Sequence, residues 1–343
     1  MNKYSFLDDY SEGCHPKILE ALNNTNLVQQ TAYGNDEYTN QAKTLISKHL
    51  NQDDTSIHFV AGGTLANIIC IASMLKPYEA IISASSGHIA LREAGAIEAT
   101  GHKIISVASK DGKLTSDDIK DAIKNNSHAP HMAKPKLVYI SNTTEMGTVY
   151  TKAELQKISK VCKANDLLLF MDGARLGAAL TASTNDLTLA DISKLTDMFW
   201  IGGTKSGILF GEAIVIPNKK LAEDFAFNIK QRGALLAKGR VLGLQFRELF
   251  SNNLFFDLTR HANKMAEKLS KGIVKAGYEL IQPVESNQIF VALPNDVIER
   301  LQEQFTFFVM CEIDEQNSMV RLVTSWATDE DQVKMFIKNI VFE

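Results

Sequence analysis

Leu167-Leu168-Leu169-Phe170-Met171-Asp172-Gly173-Ala174-Arg175 is an apolar run that ends in a carboxylate, a glycine and a guanidinium. An unbroken apolar run of this length, bounded by polar residues, reads as a strand covered on both faces. Asp172 then stands at the carboxyl end of the strand, where open α/β sheets bind ligands. The same position also suits an N-cap for the next helix, with Arg175 solvated. Outward from this stretch the pattern recurs. Short β-rich runs at 57–60, 80–83, 104–107, 137–140, 198–201 and 213–216 alternate with amphipathic helical stretches at 66–75, 90–99, 116–124 and 152–164. Such alternation predicts an α/β fold with a mostly parallel, seven-stranded sheet between two helical layers. The polar stretch 124–135 reads as a loop.

After Pro217 the pattern is helical to about Ala276. Strands at 288–293, 307–313 and 319–324 then mix with helices at 297–304 and 330–340. This tail predicts a smaller C-terminal α+β domain. The polar break Ser251-Asn252-Asn253 divides the chain into a large domain, 1–251, and a small one, 252–343.

The bulk numbers narrow the class. A chain of 343 residues with 45% apolar content has enough material for packed cores. A net charge of -4 and a pI of about 6.1 give no basic excess for a nucleic-acid backbone. Cys14, Cys70, Cys162 and Cys311 are widely spaced, without metal-ligand spacing, so neither disulfides nor a metal site is expected. The N-terminus lacks a leader's apolar segment and no window is long enough to span a bilayer, which predicts a cytoplasmic protein.

Two further strand ends carry candidate chemistry. The run 198–201 leads into Gly202-Gly203-Thr204-Lys205-Ser206-Gly207, a lysine in a glycine-rich turn. A phosphate-loop reading fails because Thr204, not glycine, precedes the lysine. Partial desolvation would favour the neutral amine that attacks a carbonyl, although Lys205 taken alone is better read as a surface lysine in a flexible loop. The run 57–60 leads through Ala61-Gly62-Gly63-Thr64 into a helix, whose free N–H groups and dipole make an anion cradle. An ordinary turn fits those residues as well. A dinucleotide fingerprint does not, because the glycine spacing is wrong.

Together the three features match one cofactor, pyridoxal 5'-phosphate (PLP). It requires a phosphate site, an acid that keeps the pyridine nitrogen protonated and a lysine for the aldehyde. Gly63 and Thr64, Asp172, and Lys205 supply these in order.

The chain also resembles the low-specificity L-threonine aldolases, in the β-eliminating lyase branch of the fold-type-I PLP-dependent, transferase-like enzymes. The resemblance lies in Ala32-Tyr33-Gly34-Asn35-Asp36, Gly62-Gly63-Thr64-Leu65-Ala66-Asn67, His88 with Glu93-Ala94-Gly95-Ala96, Asp172-Gly173-Ala174-Arg175, Gly203-Thr204-Lys205 and Val320-Arg321-Leu322-Val323-Thr324. Thr143-Thr144-Glu145-Met146-Gly147-Thr148-Val149-Tyr150 looks closest to a phenylserine aldolase-like subgroup. The resemblance implies catalytic roles for Lys205, His88 and Asp172. Gly63, Thr64 and Thr204 would bind the phosphate, and His88 would stack on the ring. Arg175 and Arg321 would take the substrate carboxylate, a pairing that suits planar guanidinium groups. Tyr33 and the basic pair Lys230 and Lys238 would reach a neighbouring subunit's site, which implies a homodimer or homotetramer.

The expected reaction is retro-aldol cleavage of the Cα–Cβ bond of a β-hydroxy-α-amino acid, threonine, allo-threonine or phenylserine, to glycine and an aldehyde. The alternative is another PLP reaction on the same scaffold, β-elimination or racemisation. Two departures bear on substrate. The family's Asn-Thr-His-Asn is Asn142-Thr143-Thr144-Glu145 here, which leaves the β-hydroxyl proton to Thr144, Glu145, His88 alone or a water. The family's Ser-Asp is Leu7-Asp8, which removes a hydroxyl and makes a bulkier aryl-serine plausible.

Overall fold

The computed structural model describes residues 3–52 and 55–341. The first two residues, the pair 53–54 and the last two lie outside them, and with them the outermost residues of the expected domains 1–251 and 252–343. In chain order the strands are β1 (Tyr4–Ser5), β2 (Ser56–Val60), β3 (Glu79–Ala84), β4 (Lys103–Val107), β5 (Lys134–Ser141), β6 (Leu168–Asp172), β7 (Met198–Gly202), β8 (Glu212–Ile216), β9 (Gln288–Pro294), β10 (Phe305–Thr306), β11 (Phe308–Glu312) and β12 (Asn317–Val323).

Seven of them form one sheet in the order β2-β8-β7-β6-β5-β3-β4. Pairing is parallel from β7 through to β4 and antiparallel on both sides of β8, so β8 alone runs against the rest. The expected mostly parallel seven-stranded sheet is therefore present. Strands β3, β7 and β8 are buried along their whole length, as unbroken apolar runs demand. One core on the first face holds Ile46, Leu155, Ile158 and Phe246, and another on the second face holds Ile69, Ile71, Phe170 and Trp200. The sheet lies between them.

Two neighbouring strand ends approach unusually closely. Gly202 N–H donates to the Gly173 carbonyl at 2.9 Å. A Cβ on Gly173 would stand 1.7 Å from the Trp200 carbonyl oxygen, so any side chain there would drive β6 and β7 apart. The contact brings the Asp172 end and the Lys205 turn together.

A second, antiparallel sheet has the order β11-β12-β9 and packs on the helices Leu254–Lys275 and Glu330–Ile340 around a third core. At Asn252 (φ 50°) and Asn253 (φ 65°) the backbone turns left-handed, which separates the helix Arg240–Phe250 from Leu254–Lys275. The N-terminus crosses to this layer. Strand β1 pairs with β10, and Phe6 is fully buried against Phe305 and Phe336, a burial worth about 1.5–3 kcal/mol. That anchor leads residues 7–10 back toward the large sheet.

One expected helix is broken. The stretch 90–99 contains only the end of a short helix, His88–Leu91, and the start of a 3-10 turn, Glu98–Thr100. Ala94 (φ 51°) and Gly95 (φ 74°) interrupt it, where Glu93 turns inward to bond His88 and Asn67. Tertiary hydrogen bonds override the local periodicity there.

Candidate active site

A cavity of about 240 Å³ opens at the carboxyl ends of the sheet. It is lined by Gly63, Thr64, His88, Asp172, Arg175, Thr204 and Lys205, seven of the residues singled out from sequence. Asn67, Ser141, Glu145, Trp200, Phe210 and Glu212 join them.

Asp172 closes β6 and is buried. Its Oδ2 accepts from Tyr139 Oη at 2.7 Å and Asn67 Nδ2 at 3.0 Å, and its Oδ1 accepts from Ala174 N–H at 2.9 Å. Three donors aim one carboxylate in a fixed direction. Asn67 is fixed in turn, since Trp200 Nε1 donates to its Oδ1 at 3.1 Å and its Nδ2 also donates to Glu93 Oε1 at 2.8 Å. Glu93 Oε1 lies 2.8 Å from His88 Nδ1, so a hydrogen-bonded chain joins Asp172 to His88.

Lys205 sits in the 3-10 turn Thr204–Ser206 that follows β7, its amine 5.8 Å from the centre of the Tyr10 ring. Burial, followed by the charge of Arg175, pushes its pKa down against the pull of Asp9, Asp172 and Glu212. A neutral amine is thereby favoured, as carbonyl chemistry requires. Glu212 opens β8 and faces this turn. Its Oε2 accepts from Gly203 N–H and its Oε1 from the Thr204 hydroxyl.

The helix Gly63–Met74 starts without a side-chain cap at Gly62, whereas Thr115, Thr151 and Thr188 form capping boxes on other helices. Its first N–H groups lie at the cavity beside the Thr64 side chain. A Cβ on Gly63 would meet the Trp200 ring at 2.9 Å, so the cradle is built for bare backbone. An uncapped helix start, threonine hydroxyls, a buried carboxylate and a lysine pushed toward neutrality match the phosphate, pyridine nitrogen and aldehyde of PLP. The donor set fits that cofactor.

Arg175 binds Asp9 in a fork, Nε to Oδ2 at 2.7 Å and Nη2 to Oδ1 at 2.9 Å. Asn287 Nδ2 donates to Asp9 Oδ2 at 2.9 Å. Burial would raise the Asp9 carboxyl, but Arg175, Lys205 and these hydrogen bonds outweigh it and hold the pKa below its usual range. The pair's stability is thus present above the unfolded pKa of about 3.9 and is lost as pH falls through the lower folded value. Asp9→Ala is expected to destabilise the chain by about 3–5 kcal/mol at pH 7, since it strands a buried guanidinium. Urea unfolding should show that deficit shrinking below about pH 4.

Other expected residues lie elsewhere. Arg321, on β12, stands outside the lining, with its guanidinium 5.5 Å from the Phe308 ring centre. Its Nε is buried with no hydrogen-bond partner, and Arg175 is close enough to depress its pKa after burial has done so. Thr144 is fully buried and turned from the cavity, its hydroxyl 2.7 Å from Thr148 Oγ1 and near the Asp111 carbonyl. A substrate contact through Thr144 is not what this geometry offers. Its neighbour Glu145 faces the cavity instead, accepting from His88 N–H at 2.9 Å and Ser141 Oγ at 2.7 Å. Burial raises the Glu145 pKa most, the Ser141 hydrogen bond lowers it and Asp172 adds to the rise.

Tyr33, Lys230 and Lys238 line no part of this chain's own cavity. Lys230 Nζ stands 4.8 Å from the Tyr33 ring centre, and Lys238 borders a separate groove with Thr25 and Val28. Sequence reasoning gave no role to Asp9, Tyr139 or Glu212. Only Glu212 left a signal, a carboxylate at the head of an otherwise apolar strand.

The model of the family described as Beta-eliminating lyase matches residues 7–296. A low specificity L-threonine aldolase of Pseudomonas sp. (strain NCIMB 10558) is 34% identical over 341 residues, 97% of this chain and 95% of that protein. A Leishmania major threonine aldolase structure superposes with a TM-score of 0.97 at 48% identity, covering 98% of both chains. A Thermus thermophilus aspartate aminotransferase structure shares the fold alone, with a TM-score of 0.73 and 12% identity over 99% of this chain and 91% of the other.

Proposed function

Because the chain belongs to the beta-eliminating lyase family, we propose that the cavity at the strand ends is where its chemistry takes place. The chain is a threonine aldolase, a lyase that cleaves β-hydroxy amino acids to glycine and an aldehyde. Its family and fold imply PLP. When bound, that cofactor supplies an electron sink for the negative charge left at Cα.

Position in the cavity supports the roles. Gly63, Thr64 and Thr204 would hold the phosphate, Asp172 the pyridine nitrogen, His88 the ring and Lys205 the aldehyde. The observation that carries this reading is the triply bonded Asp172 in one cavity with an amine pushed toward neutrality. Arg321, with an unpaired buried Nε, takes the substrate carboxylate beside Arg175, which Asp9 holds in place. This grip orients the bond to be broken. The Tyr33, Lys230 and Lys238 cluster serves the site of a second copy in a dimer or tetramer.

Glu145 receives the β-hydroxyl proton, because it faces the cavity and Thr144 does not. A base acts when deprotonated, so kcat/KM rises with pH through the elevated Glu145 pKa. Glu145→Gln is expected to lower kcat by about 10²–10⁴ and to erase that acid limb, read from pH–rate profiles of both proteins. An unchanged profile would return the role to His88 or a water.

The natural substrate is an aryl-serine. Phe210 lines the cavity and Tyr10 lies against Lys205. Aldehyde release from L-threonine, L-allo-threonine and phenylserine tests this, with kcat/KM for phenylserine expected to be at least ~10-fold the highest of the others. Equal values would remove the aryl preference. Pyruvate or ammonia without aldehyde would count against the cleavage itself.

A further inference from the structure

One hydroxyl proton at the cavity has two claimants. Thr204 Oγ1 accepts from Gly211 N–H at 3.0 Å and donates to Glu212 Oε1 at 2.8 Å. A threonine hydroxyl has a single proton and two lone pairs. Thr204, Glu212 and the uncapped helix start at Gly63 and Thr64 line the same cavity. A phosphate at Thr204 therefore receives that proton only if Glu212 gives it up.

Glu212 has no second position to retreat to. Its other oxygen accepts from Gly203 N–H at 3.0 Å, and it is buried at the head of β8. An ionised carboxylate there would also repel a dianion in a site screened from water. The ionisable groups that face it are Lys205, on the neighbouring turn, and Asp172, at the end of β6. Burial raises the carboxyl most, the Thr204 and Gly203 hydrogen bonds and the Lys205 charge oppose this, and Asp172 adds to it. The balance lies at about 8.

We propose that Glu212 is a positioning residue for the cofactor's phosphate, which it serves by holding a proton. Protonated, it donates to Thr204 Oγ1 and frees the Thr204 proton for the phosphate; ionised, it keeps that proton for itself. The hydroxyl oxygen then accepts from both Gly211 and Glu212 and donates to the phosphate, so its bonding capacity is filled. No covalent bond changes. The inference rests on the assignment of Thr204 to the phosphate.

The test is a titration of the apoenzyme with pyridoxal 5'-phosphate at pH 7 and pH 9, followed by absorbance, for wild type, Glu212→Gln and Thr204→Val. The glutamine amide donates at every pH. Wild-type affinity relative to Glu212→Gln should fall about tenfold between pH 7 and pH 9, as a carboxyl near pH 8 ionises. Thr204→Val should bind about tenfold more weakly than wild type at pH 7, the loss of a hydrogen bond to a charged group, and should match it at pH 9. Pyridoxal, which lacks the phosphate, should show neither effect.

A pH-independent ratio between wild type and Glu212→Gln overturns the proposal. If Thr204→Val is weaker at both pH values, the Thr204 assignment still survives. Wild-type binding by Thr204→Val at pH 7 overturns the assignment and the proposal together. Should Glu212→Gln fail to fold, the Thr204→Val series decides alone, because convergence at pH 9 requires that an ionised Glu212 has withdrawn the proton.

Discussion

Lys205→Ala is expected to lower the aldehyde-release rate by at least ~10³-fold, as losses of a covalent-catalysis residue do. Among the described residues no other lysine lines the cavity. The turn that presents this one is tightly held: Gly203 N–H bonds to Glu212, Ser206 Oγ donates to the Gly202 carbonyl at 2.7 Å, and β7 beneath it is fully buried. Alanine leaves each of these bonds intact, so circular dichroism should be unchanged. Two measurements check the outcome besides the rate. Wild type should carry a visible absorbance band and take up the cofactor covalently on borohydride reduction, detected by mass, whereas the variant should do neither. A variant that is still labelled would remove Lys205 from its role.

Asp172→Asn should act differently. The volume is conserved, but an amide cannot accept from all three of Tyr139, Asn67 and Ala174 with the direction the carboxylate keeps. It also lacks the negative charge that favours a protonated pyridine nitrogen. The expected loss in kcat is about 10²–10³, the effect of deleting one preorganised electrostatic partner. Cofactor labelling should persist, because Lys205 remains. The separation of labelling from turnover tells the two residues apart, and turnover within tenfold of wild type would refute the Asp172 role.

The fold and half of the site were legible locally because their signals are local. An apolar run followed by Asp172-Gly173, or by Gly202-Gly203-Thr204-Lys205, announces a buried strand and what stands at its end. The sheet then delivers all such ends to one edge. Ligand-binding residues on strand ends are therefore found together once the strand directions are known.

Asp9 left no comparable signal. Its place depends on Phe6 being anchored between Phe305 and Phe336, at the far end of the sequence, and on Asn287 meeting it from the C-terminal layer. Thr144 and Glu145 are adjacent, yet one turns to Thr148 and the other to the cavity. Nothing in residue type distinguishes them before the loop is folded. Glu93 broke an expected helix because its bonds to His88 and Asn67 outweigh a weak local preference.

The sequence by itself determined the alternating α/β order, the strand ends that bear Asp172 and Lys205, the glycine cradle at Gly63 and the family. Only the tertiary structure decided that Arg175 is forked by Asp9, that Glu145 rather than Thr144 faces the cavity, and that Glu212 meets the Thr204 hydroxyl and the Gly203 N–H. The physical reason is range. Periodicity and strand-end chemistry are written in neighbouring residues, whereas the partner of a buried charge is chosen by where distant segments are forced to meet.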